Sequence, residues 1–198
     1  MMTRQDWNVV IDLIPAGTRV LDLGCGDGGL LAHLLSQKKV FARGVEQDEM
    51  NVRACVARGL SVRHGDMEEG LADFADQDFE YVILSQTIGC LQRPLPVLRE
   101  MLRVARFGIV SFRNAGYWPN RWRAFIGNGA GPTLLSGLPL IRSITWQQFE
   151  QSIHRAGLQV DRRIDLAGSR RIWGWPALRA QTVVAVLQRK RYAGGEVK

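Results

Sequence analysis

Val20-Leu21-Asp22-Leu23-Gly24-Cys25-Gly26-Asp27-Gly28-Gly29 is the stretch whose reading decides the fold. Val20 to Leu23 read as a buried strand. Three glycines in five positions then break it, and Leu30, Leu31, Leu34 and Leu35 follow at helical spacing. The order is strand, tight turn, helix. Glycine lacks Cβ, so the turn can take positive φ and let backbone approach a ligand closely. The helix start behind it is expected to offer N–H groups and partial positive charge to a nucleotide or a carboxylate.

Outward from this turn, strand and helix keep alternating. Trp7, Val10, Ile11 and Ile14 repeat at helical spacing before it, with Thr3 and Asp6 placed as a capping box. Val40 to Glu46 reads as a second strand, followed by a helix over 49–58 that Gly59 stops. Leu60 to His64 is a short third strand and Phe79 to Ser85 a fourth. A helix starting near Pro94 and a strand over 108–112 complete five alternations, which argues for a parallel sheet with helices on both faces. From Asn114 to Ser143 the alternation fails in a stretch rich in Gly, Pro, Trp and Arg, and an irregular insertion is expected there. Thr145 caps a helix to about Ala156. Two last strands, 159–164 and 182–188, have too short a connection for a crossover helix and are expected to pair antiparallel at an edge. A basic tail follows from about residue 189.

The 198 residues suit one domain over 1–198. No apolar run approaches the ~18 residues of a membrane span, and the N-terminus lacks the apolar region of a secretory signal. Cys25, Cys55 and Cys90 show no metal-ligand spacing. Reduced thiols in a cytoplasm are the expectation. Charge divides unevenly: residues 1–100 carry 10 Lys/Arg against 15 Asp/Glu, residues 101–198 carry 16 against 4. That asymmetry fits either an acidic partner or a solvated basic face. No recognisable nucleic-acid-binding motif accompanies it.

The glycines satisfy two templates, G-x-G-x-x-G through Gly24, Gly26 and Gly29, and G-x-G-x-G through Gly24, Gly26 and Gly28. Three acids favour the second. Asp22 stands two residues before the first glycine, where it would repel a pyrophosphate and suit an ammonium group. Glu46 ends the second strand, placed to accept from both hydroxyls of a ribose. Asp66 follows the third strand, placed to accept from an adenine amino group while Met67 or Leu71 packs on the ring. Each has a plainer reading, as a turn residue or helix cap. Ser85 and Gln86 end the fourth strand at the carboxyl edge, where open α/β sheets bind ligands. They suit the amino-acid part of a cofactor and equally an ordinary polar strand end.

These residues carry a resemblance. Asp22-Leu-Gly-Cys-Gly-Asp-Gly28, Gly44-Val-Glu-Gln-Asp48, Gly65-Asp66-Met67 and Tyr81-Val-Ile-Leu-Ser-Gln86 resemble the class I S-adenosylmethionine-dependent methyltransferases. Asn51 to Gly59, Asp78 to Thr87, Arg93-Pro94, Val97 to Val104 and Ile109 to Trp118 narrow it to the methionine-biosynthesis protein MetW family, over about residues 5–165. The resemblance implies a Rossmann-like, doubly wound, mostly parallel seven-stranded sheet. It implies S-adenosylmethionine as cofactor, S-adenosylhomocysteine as product, and a site of Asp22, Gly24, Gly26, Gly28, Glu46, Gln47, Asp66, Met67, Ser85 and Gln86.

The activity it implies is methyl transfer to a small-molecule acceptor, with a non-catalytic activator or sensor of a homoserine O-acyltransferase as the alternative. A nicotinamide-dependent reductase would explain the glycines and Glu46 but not Asp22. The chain departs from the family at Arg113, where proline is usual. It departs again over Leu138 to Trp146, where an Asp-Thr-Pro-Asn-Ile-His run is missing. No side chain reads as a catalytic acid or base: His33, His64 and His154 lack partners, and Cys25 reads as a small packing residue. Arg113, Tyr117, Trp118 and Trp122 form an aromatic-basic cluster suited to a substrate or protein partner and equally to packing over the sheet edge. Trp173 and Trp175, with Arg170, Arg171 and Arg179, form a second.

Overall fold

The computed structural model describes residues 6–119, 122 and 144–190. Five parallel strands lie in the order β3 (Val62–His64), β2 (Phe41–Glu46), β1 (Arg19–Leu23), β4 (Phe79–Ser85), β5 (Ala105–Arg113). The sheet continues as β8 (Thr182–Arg189), β6 (Leu158–Ala167) and β7 (Arg170–Arg171). The expected seven strands are present, and β7 is a two-residue addition that closes a hairpin on β6. The last two long strands do pair antiparallel. The pair lies at the edge of the sheet beyond β5, and β8 also pairs antiparallel with β5 and so sits between β5 and β6. Its run Val183-Val-Ala-Val-Leu187 is buried on both faces, as an interior strand must be.

Two-residue periodicity sorts the strand side chains between two cores. Val20, Ile83, Ile109 and Val184 face α1 (Trp7–Leu13) and α2 (Gly29–Lys38). Leu21, Leu23, Val82, Leu84, Val110 and Phe112 face α4 (Pro94–Val104) and the helix α5 (Trp146–Arg155). The helix α3 (Glu49–Ala57) adds Cys55 to a small cluster with Cys25, Leu31 and Leu60 on the α2 side. Helices on both faces are what five alternations demanded. Local signals act where expected. Thr145 and Gln148 form a capping box on α5, Asp48 caps α3 by accepting from the Asn51 amide, and Pro94 opens α4. β5 begins at Ala105 directly after α4, three residues earlier than its apolar pattern suggested.

Of the expected insertion, only its ends are described. Asn114 bridges Ile144 in parallel, and the Ala115 amide donates to the Ile144 carbonyl. Asn114 Nδ2 donates to the Ala177 and Ala180 carbonyls. The segment carrying the family departure at 138–143 and the basic tail from 191 lie outside the described residues.

The glycine turn is built on positive φ at Gly24, Gly26 and Gly28. At Gly28 space is also exhausted: a Cβ would collide with Leu60 Cδ1 and stand 2.9 Å from Cys55 Sγ, whereas at Gly26 it would meet nothing. Gly26→Ala is therefore expected to cost about 1 kcal/mol of backbone strain. Gly28→Ala should cost about 2–4 kcal/mol, since overpacking adds to the same strain. Urea unfolding of the two variants, compared side by side, checks the difference.

Candidate functional site

The glycine turn opens into a cleft of about 270 Å³ lined by Trp7, Asp22, Gly24, Cys25, Gly26, Asp27, Leu30, Asn51 and Ser85. It lies at the carboxyl ends of β1 and β4. Asp22, Ser85 and Ser111 all point to the α1 side by strand periodicity, and Ser85 and Ser111 are register partners on β4 and β5. All three are buried.

Five backbone donors of the turn are already occupied. The Gly24 and Cys25 amides donate to the Val45 carbonyl, Gly28 to the Cys25 carbonyl, Gly26 to Glu46 Oε2 at 2.8 Å, and Gly29 to Asp27 Oδ1. The amides of all four glycines in the turn are thus engaged within the protein. What the turn presents is carboxylate. Glu46, only 7% exposed, spans two loops by also accepting from the Asp48 amide through Oε1. Arg58 clamps the outer side by donating to the Asp27 carbonyl and Oδ2. The Cys25 thiol reports the field inside. Burial is the first cause that pushes its pKa up, and the neighbouring Asp22 charge is the second.

Asp66 does what its plainer reading said and caps a short 3-10 turn, accepting from the Glu68 amide at 2.7 Å. That bond uses Oδ1. Met67, buried, brings Cε to 3.1 Å from where a Cβ on Gly24 would stand, so the third-strand loop packs on the glycine turn. Gln47 is exposed, with its carbonyl 3.1 Å from His64 Nε2. Ser85 is tied inward and Gln86 takes the left-handed region at φ 59, a strained conformation for a non-glycine residue. Arg113 and Trp118 are exposed and Tyr117 is half-buried, accepting from Gln181 Nε2 at 3.0 Å. Trp122 is exposed as well. None of these four lines the cleft.

Asp6 was missed as a site residue. Thr3, the other half of the expected capping box, lies outside the described residues; Asp6 takes the N-cap position of α1, and its side chain makes no cap bond. Oδ2 instead accepts from Ser85 Oγ at 2.9 Å, from Ser111 Oγ, and more weakly from Gln86 Nε2 at 3.4 Å. Three donors converging on one buried carboxylate outweigh a single amide at a solvent-facing cap. Trp7 follows into the cleft wall and meets His33 edge-on, ring centroids 5.7 Å apart. The polar Ser111 inside Ile109-Val-Ser-Phe112 was the one signal that could have pointed here.

Comparison with known proteins decides the family. The methionine biosynthesis protein MetW family matches residues 4–187. The chain belongs to the MetW family. A curated relative, the bifunctional methionine biosynthesis protein MetXA/MetW of Rhodopirellula baltica, is 39% identical over 120 residues. Those residues are 57% of this chain and 19% of the relative, so this MetW chain matches only a small part of that protein's length.

Among solved structures, an S-adenosylmethionine-dependent methyltransferase from Mesorhizobium loti superposes with a TM-score of 0.70 at 12% identity, covering 93% of this chain and 98% of that one. A TehB-like methyltransferase from Corynebacterium glutamicum gives 0.67 at 16% identity, covering 96% and 89%. The [4+2]-cyclase SpnF gives 0.68 at 17% identity, covering 92% and 80%. The MetW chain thus has the class I methyltransferase fold. That fold also carries a cyclase, so the fold by itself names no reaction.

Two outcomes follow. Asp6→Ala leaves the Ser85 and Ser111 hydroxyls without their acceptor and is expected to lower the unfolding free energy by about 2 kcal/mol, read by chemical denaturation. In the folded chain, Cys90 should react with a thiol reagent at once. Cys25 and Cys55, buried with raised pKa values, should react only at the rate of opening or unfolding.

Proposed function

We propose that the cleft binds S-adenosylmethionine and that the chain couples this cofactor to a homoserine O-acyltransferase of methionine biosynthesis. The observation that carries cofactor binding is the hydrogen-bond accounting of the glycine turn. The amides of its glycines are taken, Asp22 lines the cleft, and Glu46 is buried against the turn. Such a turn repels a pyrophosphate and suits a ligand that is cationic at one end and presents ribose hydroxyls at the other. This argues against a nicotinamide cofactor, whose pyrophosphate lies against the glycine amides of such a turn.

Asp22 would face the ammonium group. Glu46 would accept from the ribose with the lone pairs its two amide bonds leave, since a carboxylate has about four acceptor sites. Asp66 Oδ2 would serve the adenine amino group, with Met67 against the ring and Gln47 beside the ribose. Ser85 and Gln86 would border the amino-acid end. When bound, the cofactor supplies a methyl group activated on a sulfonium.

The fused MetXA/MetW relative favours the coupling role, because fusion brings together chains that work together. Methyl transfer to a small-molecule acceptor is the second reading. The strained Gln86 at the β4 edge favours it, since such strain collects at reacting and binding sites. Methyl transfer from a sulfonium needs placement and desolvation more than acid or base, so this site is chemically sufficient.

Calorimetry with S-adenosylmethionine, S-adenosylhomocysteine and NADH tests the cofactor class, and preference for NADH overturns it. Glu46→Ala should weaken S-adenosylmethionine binding more than tenfold while the protein still unfolds cooperatively. Unchanged affinity would remove Glu46 from the site. Release of labelled methyl into a small product would move the conclusion to the second reading.

A further inference from the structure

Four of the chain's six tryptophans stand out in solvent: Trp173 is 91% exposed, Trp175 76%, Trp122 59% and Trp118 56%. Tryptophan is among the side chains whose exposure is least expected. The sequence placed these residues in two clusters, and the structure draws the clusters together. Gln181 is the link. Its Nε2 donates to Tyr117 OH, and its Oε1 accepts from the Gly168 amide in the β6–β7 hairpin, at 2.9 Å. Asn114 adds its two bonds to the carbonyls of the 176–180 turn.

The turn that presents Trp173 and Trp175 is firmly built. Ile172 packs on the core and donates its amide to the Asp165 carbonyl at 2.9 Å. The Leu178 and Arg179 amides both donate to the Trp175 carbonyl. Trp175 itself lies in the left-handed region at φ 52, ψ 51, which for a bulky side chain costs about 1–2 kcal/mol. Arg179 Nη1 comes within 3.7 Å of the Cβ position on Gly174, placing a guanidinium beside the glycine that separates the two tryptophans in sequence. Arg170 and Arg179 form no ion pair among the described residues, and Arg171 reaches Asp12 only at 3.9 Å.

We propose that this face, centred on Trp173, Trp175, Arg170 and Arg179, is the surface by which the chain docks an acidic patch of the homoserine O-acyltransferase, an inference that rests on the partner reading above. Residues 168–179 contain three arginines and no lysine or acid. Exposed Trp and Arg with Lys depleted is the composition of a protein interface centre. A phosphate-tracking or membrane-surface patch draws on lysine freely and, for membranes, lies along an amphipathic helix, whereas here the residues sit on a hairpin and a single turn. A rigid turn loses little freedom on docking, so a strained, pre-formed Trp175 serves affinity. Uncompensated guanidinium groups steer an acidic partner toward it.

Interferometry with the full chain immobilised and purified homoserine O-acyltransferase as analyte, at low and high salt, tests this. The Trp173→Ala/Trp175→Ala variant should bind at least ~30-fold more weakly. Arg170→Glu/Arg179→Glu should slow association about tenfold and flatten its salt dependence. Both variants should keep cooperative unfolding and S-adenosylmethionine affinity.

If the wild type binds and both variants bind within twofold of it, the surface assignment is overturned and the partner reading stands. If the wild type does not bind, the partner reading itself fails and this docking site fails with it. Binding of the wild type to anionic vesicles or single-stranded RNA, lost in the variants while acyltransferase binding is kept, replaces the occupant and overturns the proposal.

Discussion

Glu46 is the residue through which the site coheres. One carboxylate oxygen accepts from the Gly26 amide after β1 and the other from the Asp48 amide after β2. Two loops that belong to different strands are thereby joined at a single buried anion. The Gly26 amide is thereby taken by a carboxylate and withheld from any other anion. Burial of an anion is tolerated only when donors surround it, and here both donors are backbone groups whose position the sheet register already sets. The placing of this anion beside the cleft is thus a property of strand ends.

A second buried carboxylate repeats this logic at the neighbouring strands. Asp6 joins the start of α1 to the ends of β4 and β5 through Ser85 and Ser111. Trp7, the next residue, becomes part of the cleft wall as a consequence. Where Glu46 acts between adjacent loops, Asp6 acts across 79 and 105 residues of chain. The N-terminal helix is therefore bound to the middle of the sheet by polar contacts as well as by Val10, Ile11 and Ile14 in the core.

These two anions also mark what could be read in advance. Glu46 stood out as a polar residue ending an apolar strand near a glycine turn, but its bonds to the Gly26 and Asp48 amides carried no signal of their own. The strands through β5, the crossover helices and the Thr145 cap were legible, since each has a local signature. Asp6 was not, because three residues from Thr3 it satisfied a local pattern, and local patterns are blind to partners 79 residues away. The place of β8 between β5 and β6 was equally hidden. Alternation tells which faces are buried, and Val183 to Leu187 announced burial on both, but neighbours in a sheet are chosen by tertiary packing. Merging of the two tryptophan clusters depended on Gln181 and Asn114, whose side-chain amides carry no periodic signal at all.

The Asn114–Ile144 bridge has a consequence for how such a chain can vary. With both ends of the intervening stretch held side by side, its closure entropy changes only slowly with length, by roughly 0.6 kcal/mol for each doubling. A change in the length of chain between those ends therefore bears little on the register of the strands behind the cleft. The cleft is bound by buried anions to one geometry, and the bridge insulates that geometry from the length of what it closes.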